Sequence, residues 1–393
     1  MNLLYISRHT FIQSENGEIY STGMMGNSYF EKYLPYFDTV TVLGYLCVER
    51  QSNAVKKVGR PIRSTERIHY CLAQSDGKAY RSMISNQALK ALADAEILKA
   101  DAVACKSASA AAFAAFYAKK YRKPYMVEVV GCAWDSLWNH SLKGKALALP
   151  TYLSLRSVVR NAPFVLYVTD AFLQHRYPTR GQSAGISDVE LQAMNAAVLE
   201  QRLEKIQNHT GKLRLGTAGA LHVTYKGQQF VIEALRMLRA QGREDFEYHL
   251  AGGGDHTRLS ELAERLGVAD LVVFDGALLH DEVFSWMDSL DVYLQPSTVE
   301  GMPRALIEAM SRGLPAFGSR VGGIPELLAE EDVFPARDVD RLAHLLGNLP
   351  AAEMTQKAKR NFEHVKQFQK ENLERRRSVF FSAFADEARR NSQ

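Results

Sequence analysis

The sequence predicts an α/β protein made of two doubly wound units, and three observations carry that prediction. Short apolar runs of strand character alternate with segments of helical period along most of the chain. At 393 residues the chain exceeds what one ordinary core supports. A polar stretch at 200–212 separates a first βα series from a second that restarts the alternation.

The first unit opens with LLYISRH at 3–9, an apolar run of strand length, followed by a long polar loop to about Gly23. MMGNSYFEKYLPYF then begins a helix, and TVTVLGYL at 39–46 alternates as a second strand. In a βαβ opening the loop after the first strand lies at the carboxyl edge of the sheet, facing any ligand. Gly23 and Gly26 there can bring backbone to a phosphate, or serve as turn and packing glycines. IHYCLAQSDGKAYRSM places Ser-Asp-Gly between two β-rich runs and predicts a hairpin of 68–73 with 78–83. A helix at 88–98, a strand at 102–105, an Ala-rich helix at 108–121 and a strand at 125–130 follow. Past that strand stand Trp134, Asp135 and Trp138. Indole faces stack on the C–H surfaces of sugars and carboxylates accept hydroxyls, so this group suits a glycan. FVLYVTD at 164–170 is a further strand, and ISDVEL at 186–191 leads into the linker.

The second unit reads as strand 213–220, helix 228–240, strand 247–251, helix 256–266, strand 271–274 and helix 281–289. It runs into residues 291–326, DVYLQPSTVEGMPRALIEAMSRGLPAFGSRVGGIPE. The strand at 292–294 is stopped by Pro296 and Ser297. Pro303 opens a helix to about Ser311, because its fixed φ and missing N–H suit a first turn, and Gly313 and Pro315 end it. The free N–H groups of that first turn make Glu300, Gly301, Met302 and Pro303 a phosphate-holding tip. Glu300 and Glu308 bracket it, and Glu308 lies roughly 8 Å along the axis from Pro303, about the offset between a phosphate and the ribose behind it. Lys226, followed by Gly227 before the 228–240 helix, can reach the same space and neutralise a diphosphate. AGGGD at 251–255 supplies Gly253 in a glycine-rich turn without the GxGxxG spacing of a dinucleotide fingerprint.

In order, PS, EG, the helix proline, EAM, GLP and VGGIPE resemble the donor-site signature of the family-4, group 1 retaining glycosyltransferases, written E-x7-E. The resemblance is specific over 216–326. It implies the GT-B fold: two Rossmann-like doubly wound domains facing across a cleft, with a C-terminal helix crossing back to the first. It further implies an acceptor-binding domain at 1–195 together with about 370–393, and a nucleotide-sugar-binding domain at 196–369. Lys226 and Gly227 become diphosphate ligands and Gly253 a neighbour of the base. Glu300 becomes the sugar contact and Glu308 the ribose contact. The family's usual Gly-Arg-Leu triplet is Gly219, Ala220, Leu221 here, so Lys226 has to work with another cation such as Arg304 or Arg8, or with main chain and helix dipole. The family often sets a His near the end of the 125–130 strand. Glu128, Asp135 and His140 are the candidates in this chain, with Asp135 the expected catalytic contact.

The reaction so implied moves a hexose from a UDP- or GDP-sugar to a hydroxyl of a glycan or lipid-linked glycan, as in capsule, O-antigen or exopolysaccharide synthesis. No bound cofactor and no metal are expected; Asp338-Val339-Asp340 is a DxD in an acidic surface helix. Two other readings are a nucleotide-sugar-binding subunit without turnover, favoured by Ala220, and a sugar-nucleotide epimerase of the same fold.

Composition narrows the setting. No apolar run approaches the ~18 to 20 residues that span a bilayer, and the N-terminus lacks a signal-peptide layout, which predicts a cytoplasmic protein. Cys47, Cys71, Cys105 and Cys132 form no CxxC pair or Cys/His cluster. Residues 1–200 carry 23 Lys and Arg against 16 Asp and Glu, the remainder 25 against 28. That excess gathers at Lys56, Lys57, Arg60, Arg63, Arg67 and at Lys119, Lys120, Arg122, Lys123. Such clusters are a solvated face or a peripheral contact with the anionic inner face of a membrane. No aromatic-studded module accompanies them, which argues against nucleic acid.

Overall fold

The computed structural model describes residues 1–21, 25–48, 60–75, 83, 86–106 and 108–392. It divides into two units, one of 1–134, 146–186 and the chain from Arg375 onward, the other of 135–145 and 187–374.

The first unit is built on a parallel sheet. Its strands are β1 (Asn2–Gln13), β2 (Ile19–Ser21), β3 (Thr39–Val48), β4 (Arg60–Ile62), β5 (Ile68–Gln74), β6 (Ala102–Lys106), β7 (Tyr125–Val129), β8 (Phe164–Tyr167) and β9 (Gln182–Gly185). The parallel core runs β5-β3-β1-β6-β7-β8-β9, and β2 and β4 add antiparallel pairs beside it. Strand order reverses between β1 and β6, the place where a doubly wound sheet opens a crevice at its carboxyl edge. Helices α1 (Asn27–Glu31), α2 (Gln87–Lys99) and α3 (Ala108–Lys120) connect the strands, and between β7 and β8 the chain forms α4 (Ala133–Trp138) and α5 (Leu142–Arg160), of which 135–145 belong to the second unit.

Two expectations change here. The loop expected after residue 9 is in fact strand, because HTFIQ keeps its aromatic and β-branched residues in pairing with β3. The chain then turns at Ser14, where the Gly17 N–H donates to the Ser14 carbonyl, and β2 returns antiparallel to it. The first arm of the expected 68–83 hairpin is β5, which pairs parallel to β3 rather than within a hairpin. Most of the second arm lies outside the described residues, as does Gly23.

The second unit carries α6 (Ala196–Gln207), β10 (Leu213–Ala218), α7 (Gln228–Ala240), β11 (Phe246–Ala251), α8 (Thr257–Arg265), β12 (Val272–Gly276), α9 (His280–Ser289), β13 (Val292–Gln295), α10 (Arg304–Ser311), β14 (Ala316–Ser319) and β15 (Val333–Phe334). Its six strands are all parallel in the order β12-β11-β10-β13-β14-β15. The reversal falls between β10 and β13, so the loops leaving those two strands share one edge. Helix α7 packs Val231, Ile232, Leu235 and Leu238 into the core at helical spacing. On another buried cluster Leu306, Ile307 and Met310 of α10 meet Tyr293 and Leu290. Burying such side chains stabilises by about 1.5–3 kcal/mol each.

The polar 200–212 stretch is mostly helix rather than open linker. Arg202, buried on α6, donates through Nη2 to the Met287 carbonyl at 3.1 Å, and Lys205 donates to the carbonyls of Ser289 and Leu290 at 2.7 and 2.8 Å. Two cations thus satisfy carbonyls at the C-terminal end of α9, where the helix dipole favours positive charge. The last helix, α11 (Lys370–Ser392), returns to the first unit, where Phe381 packs 5.0 Å from Tyr33 and Phe384 5.2 Å from Phe164.

Candidate active site

In the second unit, the loop leaving β10 carries Lys226 and the loop leaving β13 carries Glu300, and the strand-order reversal makes the two loops neighbours. Lys226 Nζ donates to Glu300 Oε1 at 2.7 Å. The same oxygen accepts from Gln295 Nε2 at 2.9 Å and Ser297 Oγ at 2.7 Å. No described residue donates to Glu300 Oε2, which leaves one carboxylate oxygen for a hydroxyl. Gln295 is itself held, because Tyr293 donates to its Oε1 at 3.2 Å while the Ala218 N–H donates to the Tyr293 hydroxyl at 3.3 Å. Glu300 therefore stands on a buried polar relay reaching back to β10. Gln295, Ser297 and Tyr293 are site residues that sequence reasoning passed over; the signal was a glutamine closing the otherwise apolar run VYLQ.

The Lys226 stem crosses Gly219, where a Cβ would touch its Cγ and Cδ at 3.4 Å. Gly227 next to it has φ +78°, and a Cβ there would stand 1.9 Å from the Pro296 carbonyl oxygen. The Lys-Gly pair thus has a packing reason: only glycine lets the β10 loop close on the β13 loop. The Thr298 N–H donates to the Tyr225 carbonyl at 2.7 Å and fixes that closure.

Helix α10 begins at Arg304 with Pro303 as its N-cap, and it ends in paired bonds from the Gly313 N–H to Met310 and from the Leu314 N–H to Ala309. No described residue accepts from the N–H groups of Gly301 and Met302, so the tip presents open amides beside Lys226. Little more than one turn along, Glu308 is 7% exposed and no described residue donates to its carboxyl. Burial pushes that carboxyl up to about 7, opposed by the Arg304 charge. In the turn at 251–255 the demand for glycine falls beside the expected position. A Cβ on Gly252 would stand 1.9 Å from the Gly219 carbonyl oxygen, whereas one on Gly253 would meet only Ala277 at 3.7 Å. Asp338 accepts from the Arg341 N–H at 2.9 Å as a helix N-cap, an ordinary structural role for that half of the DxD.

Glu128 in the first unit is 3% exposed and accepts from Tyr5 at 2.8 Å, Tyr29 at 2.5 Å, Lys32 Nζ at 3.1 Å and the Tyr33 hydroxyl. Burial raises its pKa, yet the Lys32 and Lys106 charges and the tyrosine donors bring it down to about 2. Burial lowers the Lys32 ammonium. A carboxylate so fully partnered holds its domain together. Glu128→Ala is expected to cost roughly 3–5 kcal/mol, because Lys32 loses its counter-charge inside the core. The folded value lies below the ordinary 4.5, so this stability is present above that pH and is lost as pH falls toward about 2. Urea titrations from neutral pH down to pH 3 check both points, since Glu128→Gln should flatten the acid limb. Asp135 lies in the first turn of α4, and His140 follows that helix at the turn before α5.

A sequence profile described as "Glycosyl transferases group 1" matches residues 212–350. Protein CapJ of Staphylococcus aureus is 30% identical over 358 residues, 88% of this chain and 85% of that protein. The chain belongs to the group 1 glycosyltransferases. Over a shorter span this glycosyltransferase is 35% identical to the putative colanic acid biosynthesis glycosyltransferase WcaL of Escherichia coli, covering 36% of the chain and 37% of WcaL. Its fold matches sucrose-phosphate synthase of Thermosynechococcus elongatus with a TM-score of 0.69 at 16% identity, over 98% of both chains. Anabaena HepE, in a structure in complex with UDP, matches with a TM-score of 0.67 at 16% identity, over 98% of this chain and 100% of that one. The architecture is thus GT-B, as the signature implied. Both unit-2 loops and α10 fall inside the matched profile, while Glu128, Asp135 and His140 lie outside it.

Proposed function

We propose that this glycosyltransferase moves a hexose from a UDP- or GDP-sugar to an acceptor hydroxyl with retained anomeric configuration and without a metal ion. The single observation that carries the reading is the meeting of Lys226, Glu300 and the open amides of Gly301 and Met302 at the tip of α10, with the unpartnered carboxyl of Glu308 behind them. Lys226 and the amides would take the charge of the departing diphosphate, the part of such a reaction where fixed donors are most effective. Glu300 Oε2 would accept a sugar hydroxyl and Glu308 the ribose diol. The leaving phosphate would take the acceptor proton.

The WcaL name supports a role in exopolysaccharide assembly. We assign the acceptor to the first unit, as a glycan or lipid-linked glycan, with a peripheral hold on an anionic membrane, and keep Asp135, which belongs to the second unit, as a candidate substrate contact. No described helix is long and apolar enough to cross a bilayer.

Thermal-shift screening against UDP-, GDP- and ADP-sugars should select one nucleotide. Transfer by the purified chain should persist in EDTA, and product NMR should show the donor's anomeric configuration. An inverted product or strict Mn²⁺ dependence would overturn the mechanism, and the absence of both transfer and donor hydrolysis would leave a binding subunit.

A further inference from the structure

Helix α5 wears its leucines outward. Gly144, Ala148, Leu155 and Val159 face protein and are buried. At 3.6 residues per turn, Leu142, Leu149, Leu153 and Arg160 fall in one line away from the buried face, within a band of roughly 40°. Leu142 is 83% exposed, Leu149 51% and Leu153 52%. Lys145 flanks that line on one side, next to Arg156, whose guanidinium donates to the Tyr152 hydroxyl and the Arg176 carbonyl at 2.8 Å each, and Lys143 lies beyond it on the other. An ordinary surface helix would place charged residues along this line.

The charge around the leucines has one sign. No Asp or Glu occurs between Asp135 and Asp170, although the chain contains 44 such residues. The Lys145 ammonium lies 5.5 Å over the ring of Trp138, a residue type that favours the boundary between headgroups and acyl chains. An apolar ridge rimmed only by cations, with an exposed tryptophan held under one of them, complements a surface that is apolar below and anionic above.

The clusters singled out in the sequence are less suited to that task. Arg67 donates to the carbonyls of Leu34, Phe37 and Asp38, and Lys120 is paired with Asp94 at 2.9 Å. Lys56 and Lys57 lie outside the described residues. We propose that the outward face of α5 is the surface by which this protein docks on an anionic phospholipid bilayer, its leucines entering the interface and Lys143, Lys145 and Arg160 meeting headgroup phosphates. Lys and Arg suit this geometry because their stems reach along apolar surface to the charge layer. The proposal rests on the membrane reading given above and assigns it an element.

The test is co-sedimentation of the full chain with phosphatidylcholine vesicles, with and without phosphatidylglycerol. Two variants are compared, the triple Leu142→Ser, Leu149→Ser, Leu153→Ser and the double Lys145→Glu, Arg160→Glu, with circular dichroism and melting temperature as controls for folding. Wild type should bind the anionic vesicles, and each folded variant should bind them at least about tenfold more weakly, the charge variant no longer gaining from phosphatidylglycerol. Binding by both variants equal to wild type would remove α5 while leaving a membrane contact standing. No binding by wild type would remove the membrane reading itself. Loss of a concentration-dependent dimer in the leucine variant, with vesicle binding intact, would make the face a self-association surface and overturn the proposal.

Discussion

Lys226→Ala should lower kcat/KM for the nucleotide sugar by ten- to a thousandfold. The Lys226 charge rests on Glu300 at 2.7 Å, so the protein's own carboxylate holds the cation where the proposed diphosphate would meet it. With Ala220 where the resembled triplet carries an arginine, Lys226 is the cation that pairs with Glu300 beside the open amides. Removing one fixed donor from a developing oxyanion commonly costs about 10²–10³ in kcat, or ~3–4 kcal/mol. Lys226→Met separates charge from packing. It keeps a stem over Gly219 and loses the ammonium, so it should be as slow as the alanine variant if charge is what matters. Lys226→Arg should recover only part of the rate, because a planar fork does not reproduce a point charge on a flexible stem. Steady-state kinetics at saturating acceptor measure all three, and wild-type kcat/KM in the alanine variant would remove Lys226 from the reaction.

Much of the second unit was legible because its elements obey local rules. The 228–240 helix was read to the residue from an apolar stripe, and Gly313 ended α10 where the spacing placed it. The sequence placed Lys226 in the space of the Glu300 tip, but their direct pairing was not legible in it. The two residues are 74 apart in sequence, and it is strand order, which no local period encodes, that brings them together. Gln295 escaped notice for a related reason. A buried polar side chain has meaning only through its partners, and those come from β10 and from beyond the strand end. In the first unit the extension of β1 to Gln13 was missed because polar residues break its alternation, while β3 and β2 supply the pairing that keeps it extended.

Glu308→Gln should abolish a pH dependence that wild type shows near neutrality, and weaken donor binding by tenfold or more. Burial without a donor holds the Glu308 carboxyl up to about 7, so near neutral pH the protein is a mixture of neutral and ionised forms. A ribose diol brings two hydroxyl hydrogens, which a carboxylate accepts and a protonated acid accepts less well. Donor affinity should then fall about tenfold per unit below pH 7 and level off above it. Binding at pH 6 should release close to one proton, and calorimetry in buffers of different ionisation enthalpy counts it. The sign for stability runs the other way. Because the folded value lies above the ordinary 4.5, the folded state holds this proton more tightly than the unfolded chain. The contribution of Glu308 is therefore fully present below pH 4.5 and is lost as pH rises through about 7. The ligand-free Glu308→Gln variant should accordingly melt higher than wild type at pH 8 while binding donor more weakly. A variant that binds worse and also melts lower at that pH would show that Glu308 serves packing. A wild type whose donor affinity is flat from pH 5.5 to 8 would show that its carboxyl never meets the ribose.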